Sequence, residues 1–200
     1  MTSPQHTNLE LWSIVLAAGA GRRMPGIKPL AQVSGRPIIE FAIELGRVSS
    51  NQRCIVVGGA YTNETLVLIG EHGCALAQND RWASGMGSSI ACGVKALPSS
   101  ATHCLVLLVD QPLVRTVDIT RLIGTSNAHP DSIIVSSFAE TSGPPAIFPR
   151  RTFCALERLD GDVGAKSLVQ ADRSVQRVDV PAAQWDADDT DSLNQINARL

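Results

Sequence analysis

Charge is scarce in this chain, and its cysteines follow no pattern. Only 18% of the 200 residues are Asp, Glu, Lys or Arg, and the formal net charge is -2. So weak a field draws in neither nucleic acid nor an anionic membrane, and no partner of either kind is expected. An anionic ligand must then be held by a few placed Lys and Arg residues and by backbone N–H groups. Cys54, Cys74, Cys92, Cys104 and Cys154 are odd in number and contain no Cys-x-x-Cys pair. That argues against a disulfide framework and a zinc site, and reduced, mostly buried thiols are expected. His6, His72, His103 and His129 share no spacing and receive no chemistry. No apolar run approaches the roughly 20 residues of a membrane span. Met1–Asn8 is polar, without the apolar centre of a signal peptide. A cytoplasmic protein with a flexible tail over residues 1–10 is the expectation.

What is present is apolar: 44% of residues are hydrophobic, a globular composition. The length suits one domain with one core, and no linker or repeat divides it, so residues 1–200 read as a single domain. Strand and helix patterns alternate. Strands are expected at Ile14–Ala18, Cys54–Val57, Cys74–Ala77, Cys104–Val109, Ser132–Val135, Ala146–Phe148 and Val175–Val178. Helices are expected from Pro37 to a stop at Gly46, through Thr65–Ile69, around Ile90, Val94 and Leu97, and at Arg151–Leu159, Ala165–Gln170 and Ser192–Leu200. Cys104–Val109 is apolar throughout, as strands buried on both faces are. The fold class is therefore α/β: a three-layer α/β/α sandwich around a Rossmann-like, mostly parallel sheet.

The loop after the first strand carries the strongest chemical signal. In Leu16-Ala17-Ala18-Gly19-Ala20-Gly21-Arg22-Arg23-Met24-Pro25-Gly26-Ile27-Lys28, glycines let backbone N–H groups approach phosphate oxygens, and Arg22, Arg23 and Lys28 add positive charge. A P-loop is excluded, because Gly26 is followed by Ile27-Lys28-Pro29 and not Lys-Ser/Thr. The dinucleotide fingerprint fails as well, for lack of a glycine three residues after Gly21. On glycines alone, an ordinary Gly-rich turn remains open.

Further segments carry chemistry. Asn79 and Ser88, in Asn79-Asp80-Arg81-Trp82-Ala83-Ser84-Gly85-Met86-Gly87-Ser88, offer hydrogen bonds suited to a base or ribose, or else cap a helix. Asp110 ends a buried apolar run, which is costly unless it is paired, hydrated or bound to a metal; Mg²⁺ takes one or two such carboxylates together with substrate phosphates. Gly143-Pro144-Pro145-Ala146-Ile147-Phe148 and Gly161-Asp162-Val163-Gly164-Ala165-Lys166 follow, and then Asp186, Asp188, Asp189 and Asp191 around Thr190.

Leu16–Lys28, with Gly35-Arg36-Pro37-Ile38-Ile39, resembles the N-terminal signature of MobA-like nucleotidyltransferases of molybdenum-cofactor biosynthesis, with Pro25 standing where the family usually has glycine. Asn79–Ser88 is similar to that family's Asn-Pro-x-Trp-x-x-Gly-Met-x-x-Ser segment, and Asp110-Gln111-Pro112 to its Asp-x-Pro motif. The resemblance implies a fold of the nucleotide-diphospho-sugar transferase type. It implies nucleotide binding by Leu16, Ala17, Ala18, Gly19, Gly21, Lys28, Asn79, Gly85 and Ser88, and catalysis by Lys28, Arg23 and Asp110. Mg²⁺ would sit on Asp110, with Asp189, from a partial Asp-x-Asp-Thr-Pro match, as a second ligand. Pro145, Asp162 and Lys166 would hold the acceptor. Ala18 resembles the cytidylyltransferase branch, which favours CTP over GTP and a molybdopterin-type acceptor; a sugar or alcohol phosphate is the alternative. A molybdoenzyme or its chaperone would be the protein partner, and a non-catalytic maturation factor is the rival reading.

Overall fold

The computed structural model describes residues 9–200. Its strands are β1 (Leu11–Leu16), β2 (Gln32–Val33), β3 (Arg36–Pro37), β4 (Cys54–Gly58), β5 (Ala75–Gln78), β6 (His103–Leu108), β7 (Ile134–Phe138), β8 (Thr141–Pro149) and β9 (Gln176–Asp179). Its helices are α1 (Ile38–Ser49), α2 (Thr62–Glu71), α3 (Met86–Lys95), α4 (Thr116–Ala128), α5 (Phe153–Leu156), α6 (Lys166–Ala171) and α7 (Thr190–Asn197). One seven-stranded sheet has the order β5-β4-β1-β6-β8-β7-β9, and β2 and β3 form a separate small hairpin. Strands β5, β4, β1 and β6 are parallel; β8 runs against both β6 and β7, and β9 lies parallel to β7.

Alternation along the central strands feeds two apolar layers. Val15, Ala17, Leu105 and Leu107 point to one face, where Ile39 and Ile43 of α1, Ile119 and Leu122 of α4 and Ile196 of α7 cover them. Ile14, Leu16 and Val106 point to the other, against Ile90 and Val94 of α3 and Phe153 and Leu156 of α5. This is the expected three-layer arrangement. No helix among the described residues is long and apolar enough to cross a membrane.

Several local expectations change. Helix α1 runs through Gly46 to Ser49, and Pro37 is its N-cap residue. Gly46 is a point of close approach instead of a stop. The Ser13 hydroxyl donates to its carbonyl at 2.9 Å, and a Cβ there would lie 3.2 Å from Cys54 Sγ and from Ser13 Cβ. Helix α4 has no counterpart among the expected elements. Thr116, Val117, Ile119, Thr120, Ile123 and Thr125 are β-branched, poor helix formers, and only tertiary burial of Ile119 and Leu122 overrides them. The long helix expected at Arg151–Leu159 is a 3₁₀ turn followed by the four-residue α5. Of the five thiols, Cys54 and Cys104 are buried, Cys74 and Cys92 are half-buried and Cys154 is exposed. Residues 1–8 of the expected tail lie outside the described residues, whereas Glu10 is held by its N–H on Thr102 Oγ1 at 2.9 Å and by its carbonyl under Thr102 N–H at 3.0 Å.

The packing around Gly46 yields a stability prediction. Gly46→Val pushes branched carbons between α1 and β1 and should cost about 1–3 kcal/mol, read as a lower urea midpoint with unchanged slope. An unchanged midpoint would show that the α1–sheet contact is loose.

Candidate functional site

From β1 the chain passes to β4 and β5 on one side, then returns to place β6 on the other side of β1. The order therefore reverses between β1 and β6, and open α/β sheets bind ligands in the crevice beyond the carboxyl ends of such strands. A cleft of about 460 Å³ opens there, lined by the glycine loop, Lys28, Trp82, Gly85, Ser89, Asp110 and Asp162 among others.

The loop is shaped from within. Gly21 takes φ +55°, and a Cβ on it would lie 2.5 Å from Lys28 Cβ, so only glycine lets the loop close over the lysine stem. Met24 donates its N–H to the Gly21 carbonyl at 2.8 Å and is itself buried. A 3₁₀ turn over Lys28–Leu30 then directs Lys28 inward, where it is 9% exposed.

A buried ammonium needs partners. Lys28 Nζ donates to Asp110 Oδ2 at 2.6 Å and to Asp188 Oδ1 at 2.9 Å. Arg23 Nη2 donates to the other Asp188 oxygen at 2.7 Å. The segment carrying Asp188 is pinned beside Asp110 by its backbone, with Ala187 N–H on the Asp110 carbonyl at 2.8 Å. Gln111 Nε2 adds a bond to the Ala183 carbonyl at 2.9 Å. Burial works to lower the Lys28 pKa, but the Asp110 and Asp188 carboxylates outweigh it and raise the value. For Asp188, burial pushes upward, yet Lys28 and Arg23 hold it below the usual carboxylate range. Asp186 is pushed up to about 6, first by burial and then by the neighbouring Asp110 charge.

Among the described residues, Asp110 Oδ1 and Asp186 Oδ1 are both buried without a hydrogen-bond partner. Orphaned carboxylate oxygens beside a surplus of negative charge are the donors a hard divalent cation takes.

A second cleft of about 690 Å³ adjoins the first, and Met86 and Asp162 line both. Its apolar floor is Ile90, Val106, Val135, Ala146 and Phe148; Glu140, Lys166 and Arg177 bring charge to it.

Of the residues expected from sequence, Leu16, Ala18, Gly19, Gly21, Lys28, Gly85 and Asp110 line the first cleft, and Asp162 and Lys166 the second. Others do something else. Ala17 is buried in the opposite layer, because alternation turns it away from the cleft. Asn79 is buried; its amide donates to Ser88 Oγ at 3.0 Å and Ser89 Oγ at 3.1 Å, and its Oδ1 accepts from Arg81 N–H. Ser88 Oγ has one proton for the Gly85 carbonyl at 2.8 Å or the Arg81 carbonyl at 3.0 Å. Both residues spend most of their hydrogen bonds shaping the 79–88 turn, and neither lines the first cleft. Pro145 is buried, its carbonyl taken by Ser136 Oγ, and Pro144 faces the cavity in its place.

Asp189 is the N-cap of α7: its Oδ1 accepts from Ser192 N–H at 2.8 Å. That shifts the acidic motif by one residue. Thr190 holds the first helical position, where proline is favoured, so Asp186-Ala187-Asp188-Asp189-Thr190 answers to Asp-x-Asp-Thr-Pro. Asp188, bonded to Lys28, and Asp186, close enough to feel the Asp110 charge, are the acids of this run that the structure brings to the lysine. The Asp189-x-x-Ser192 capping box was the signal that would have found them. Arg177 and Glu140, from β9 and the β7–β8 turn, had no sequence signal.

An open sheet with a glycine loop and an aspartate flanking its switch point is the nucleotidyltransferase fold of the nucleotide-diphospho-sugar transferase type. The chain belongs to the MobA-like NTP transferase domain family, whose model matches residues 13–178. The nicotine blue oxidoreductase of Paenarthrobacter nicotinovorans is 32% identical over 132 residues, which is 66% of this chain and 63% of that protein. Rv0371c from Mycobacterium tuberculosis H37Rv matches with TM-score 0.83 at 24% identity, over 99% of this chain and 100% of that one, and a further structure of it is a complex with manganese. Molybdopterin-guanine dinucleotide biosynthesis protein A from Archaeoglobus fulgidus matches with TM-score 0.67 at 17% identity, over 94% of this chain and 97% of that one. These two structural likenesses speak for the fold. The chain spans less than two thirds of the length of the curated relatives it matches.

The raised Asp186 pKa fixes a pH dependence. Between the ordinary 3.8 and about 6, native Asp186 keeps a proton that the unfolded chain releases, so this residue's contribution to stability declines as pH rises through that window. The Asp188 shift acts oppositely and below it, its stabilisation being lost as pH falls under the ordinary 3.8. Without metal, Asp186→Asn should flatten the decline between pH 4 and about 6 in urea titrations. Parallel wild-type and variant curves across that range would contradict it.

Proposed function

We propose that this domain transfers a nucleoside monophosphate, CMP from CTP in the favoured case, to a phosphorylated acceptor of the molybdopterin type and releases pyrophosphate. The observation that carries the reading is the buried Lys28–Asp110 pair beneath a glycine loop at the sheet's switch point. Backbone N–H groups of the loop 19–21 bind and orient the triphosphate. Lys28, fixed between two carboxylates, offsets charge that develops on the transferring and leaving phosphates. Arg23, tied to Asp188, adds positive charge at the same acids. An oxygen of the acceptor phosphate attacks the α-phosphorus, the bond from that phosphorus to the bridging oxygen breaks, and pyrophosphate leaves with the electron pair. No covalent enzyme intermediate is needed.

Mg²⁺ fits the orphaned oxygens of Asp110 and Asp186, and when bound it would supply charge neutralisation for the phosphates. The manganese complex of the mycobacterial neighbour agrees with a divalent site in this fold. The second cleft supports an acceptor that stacks a ring system on an apolar floor: Ile90, Val106, Ala146 and Phe148 line it, and Lys166 provides an anion contact. Lys keeps the charge of the family's usual Arg but loses the bidentate fork. Ala18, on the nucleotide side, supports CTP. The oxidoreductase name of the Paenarthrobacter relative denotes redox chemistry in that protein, whereas this cleft's basic loop and carboxylates suit phosphoryl transfer.

Pyrophosphate release should therefore appear with Mg²⁺, molybdenum-loaded molybdopterin and CTP, and drop by about a hundredfold or more in Lys28→Ala and in Asp110→Ala. Release with GTP alone would keep the transfer and overturn the CTP preference. Release with sugar phosphates but not molybdopterin would replace the acceptor. NTP binding without product from any acceptor would favour a non-catalytic maturation role.

A further inference from the structure

The wall between the two clefts is a seam between two loops. On the nucleotide side are Arg81 to Gly87, including Trp82, Gly85 and Met86 of the first cleft. On the acceptor side are Asp160 to Lys166, including Asp162 and Lys166 of the second. The loops touch backbone to backbone. A Cβ on Gly85 would lie 2.3 Å from Asp162 Oδ1 and 2.6 Å from the Gly161 carbonyl oxygen, so no side chain fits between them. Gly87 N–H donates to that same carbonyl at 2.8 Å.

Asp160 closes the seam. One carboxylate oxygen accepts from Ser84 Oγ at 2.7 Å and from Gly161 N–H at 3.0 Å, and the other pairs with Arg81. A lone exposed ion pair contributes little. This carboxylate instead gathers donors from both loops at once, on a side chain that is 49% exposed and supports none of the core. The Arg81 end is anchored in turn, because its N–H donates to buried Asn79 and its carbonyl lies within reach of the Ser88 hydroxyl. Beside the Gly87–Gly161 backbone bond, the Asp160 carboxylate is a side-chain link between the turn 81–87 and the loop 160–166.

We infer that Asp160 is a positioning residue that couples the two clefts: occupancy of the nucleotide cleft orders the acceptor loop 161–166 through it. The inference rests on the nucleotidyl-transfer reading above. Coupling of this kind is reciprocal, so an acceptor bound at Lys166 and Asp162 would tighten nucleotide binding by the same factor.

Hydrogen–deuterium exchange tests this without an acceptor, using CTP and GTP in parallel with Mg²⁺ on the full chain and on Asp160→Ala. In the wild type, the bound nucleotide should slow exchange at 19–28 and 82–87, and also at 161–166 by about fivefold or more. In Asp160→Ala, protection at 19–28 should persist while exchange at 161–166 stays within about twofold of the nucleotide-free rate. An unchanged melting temperature would separate this loss from general loosening. Equal protection of 161–166 in the variant would overturn the inference, as would a wild type protected at 19–28 and not at 161–166. No protection anywhere with either nucleotide would overturn the nucleotidyl-transfer reading and this inference with it.

Discussion

A single buried ammonium organises the cleft. Lys28 lies between Asp110 and Asp188, and its contacts join three segments far apart in sequence: the loop after β1, the end of β6 and the stretch before α7. Removing a lysine from water is expensive, and it stays charged here because two carboxylates meet it at hydrogen-bond distance. The loop must fold back for this to happen, which is why Gly21, pressed onto the lysine stem, has no room for a Cβ. The C-terminal segment must dock as well, through Ala187 and Ala183, both fully buried. The cleft's charge and the chain's last turn of packing are thus one arrangement.

The same arrangement leaves more negative charge than it neutralises. Lys28 is shared, Arg23 is 72% exposed, and among the described residues Asp186 forms no ion pair. Burial and Asp110 raise the Asp186 pKa to about 6, the sign of a carboxylate held where its charge is unwelcome. Cavities that do this commonly serve function. Among the described residues the unsatisfied Asp110 oxygen belongs to a residue that lines the nucleotide cleft, and in the proposed reaction a divalent cation would neutralise it together with the phosphates.

Much of this was legible in the sequence, for physical reasons that differ between elements. Cys104–Val109 and Ile14–Ala18 read as strands because burial on both faces leaves no polar positions. The loop from Gly19 to Lys28 stood out for its mixture of glycine and basic residues, but on glycines alone an ordinary turn was as good a reading, and the match to the family signature carried the phosphate role. Asp110 stood out because an acid at the end of an apolar run needs a partner. Helix α4 was invisible because its β-branched residues resist helix and yield only to packing against the sheet. For Asn79 and Ser88 the sequence left a base contact and a structural role open, and the structure shows their hydrogen bonds spent inside the fold. The acidic run near the end misled by one residue: the capping box that assigns Asp189 to α7 depends on Ser192, and without that boundary Asp188 looks like its neighbours. Arg177 reaches the second cleft only through the pairing of β9 with β7, which no local pattern encodes.

The most direct test of a joint metal and triphosphate site at the switch point is Mn²⁺ binding followed by electron paramagnetic resonance, with CTP or GTP present. The wild type should bind Mn²⁺ more tightly with nucleotide than without. Asp110→Asn should lose that enhancement while still binding nucleotide through the glycine loop. Equal Mn²⁺ affinity in wild type and variant, with nucleotide bound in both, would contradict the assignment of Asp110 to the metal.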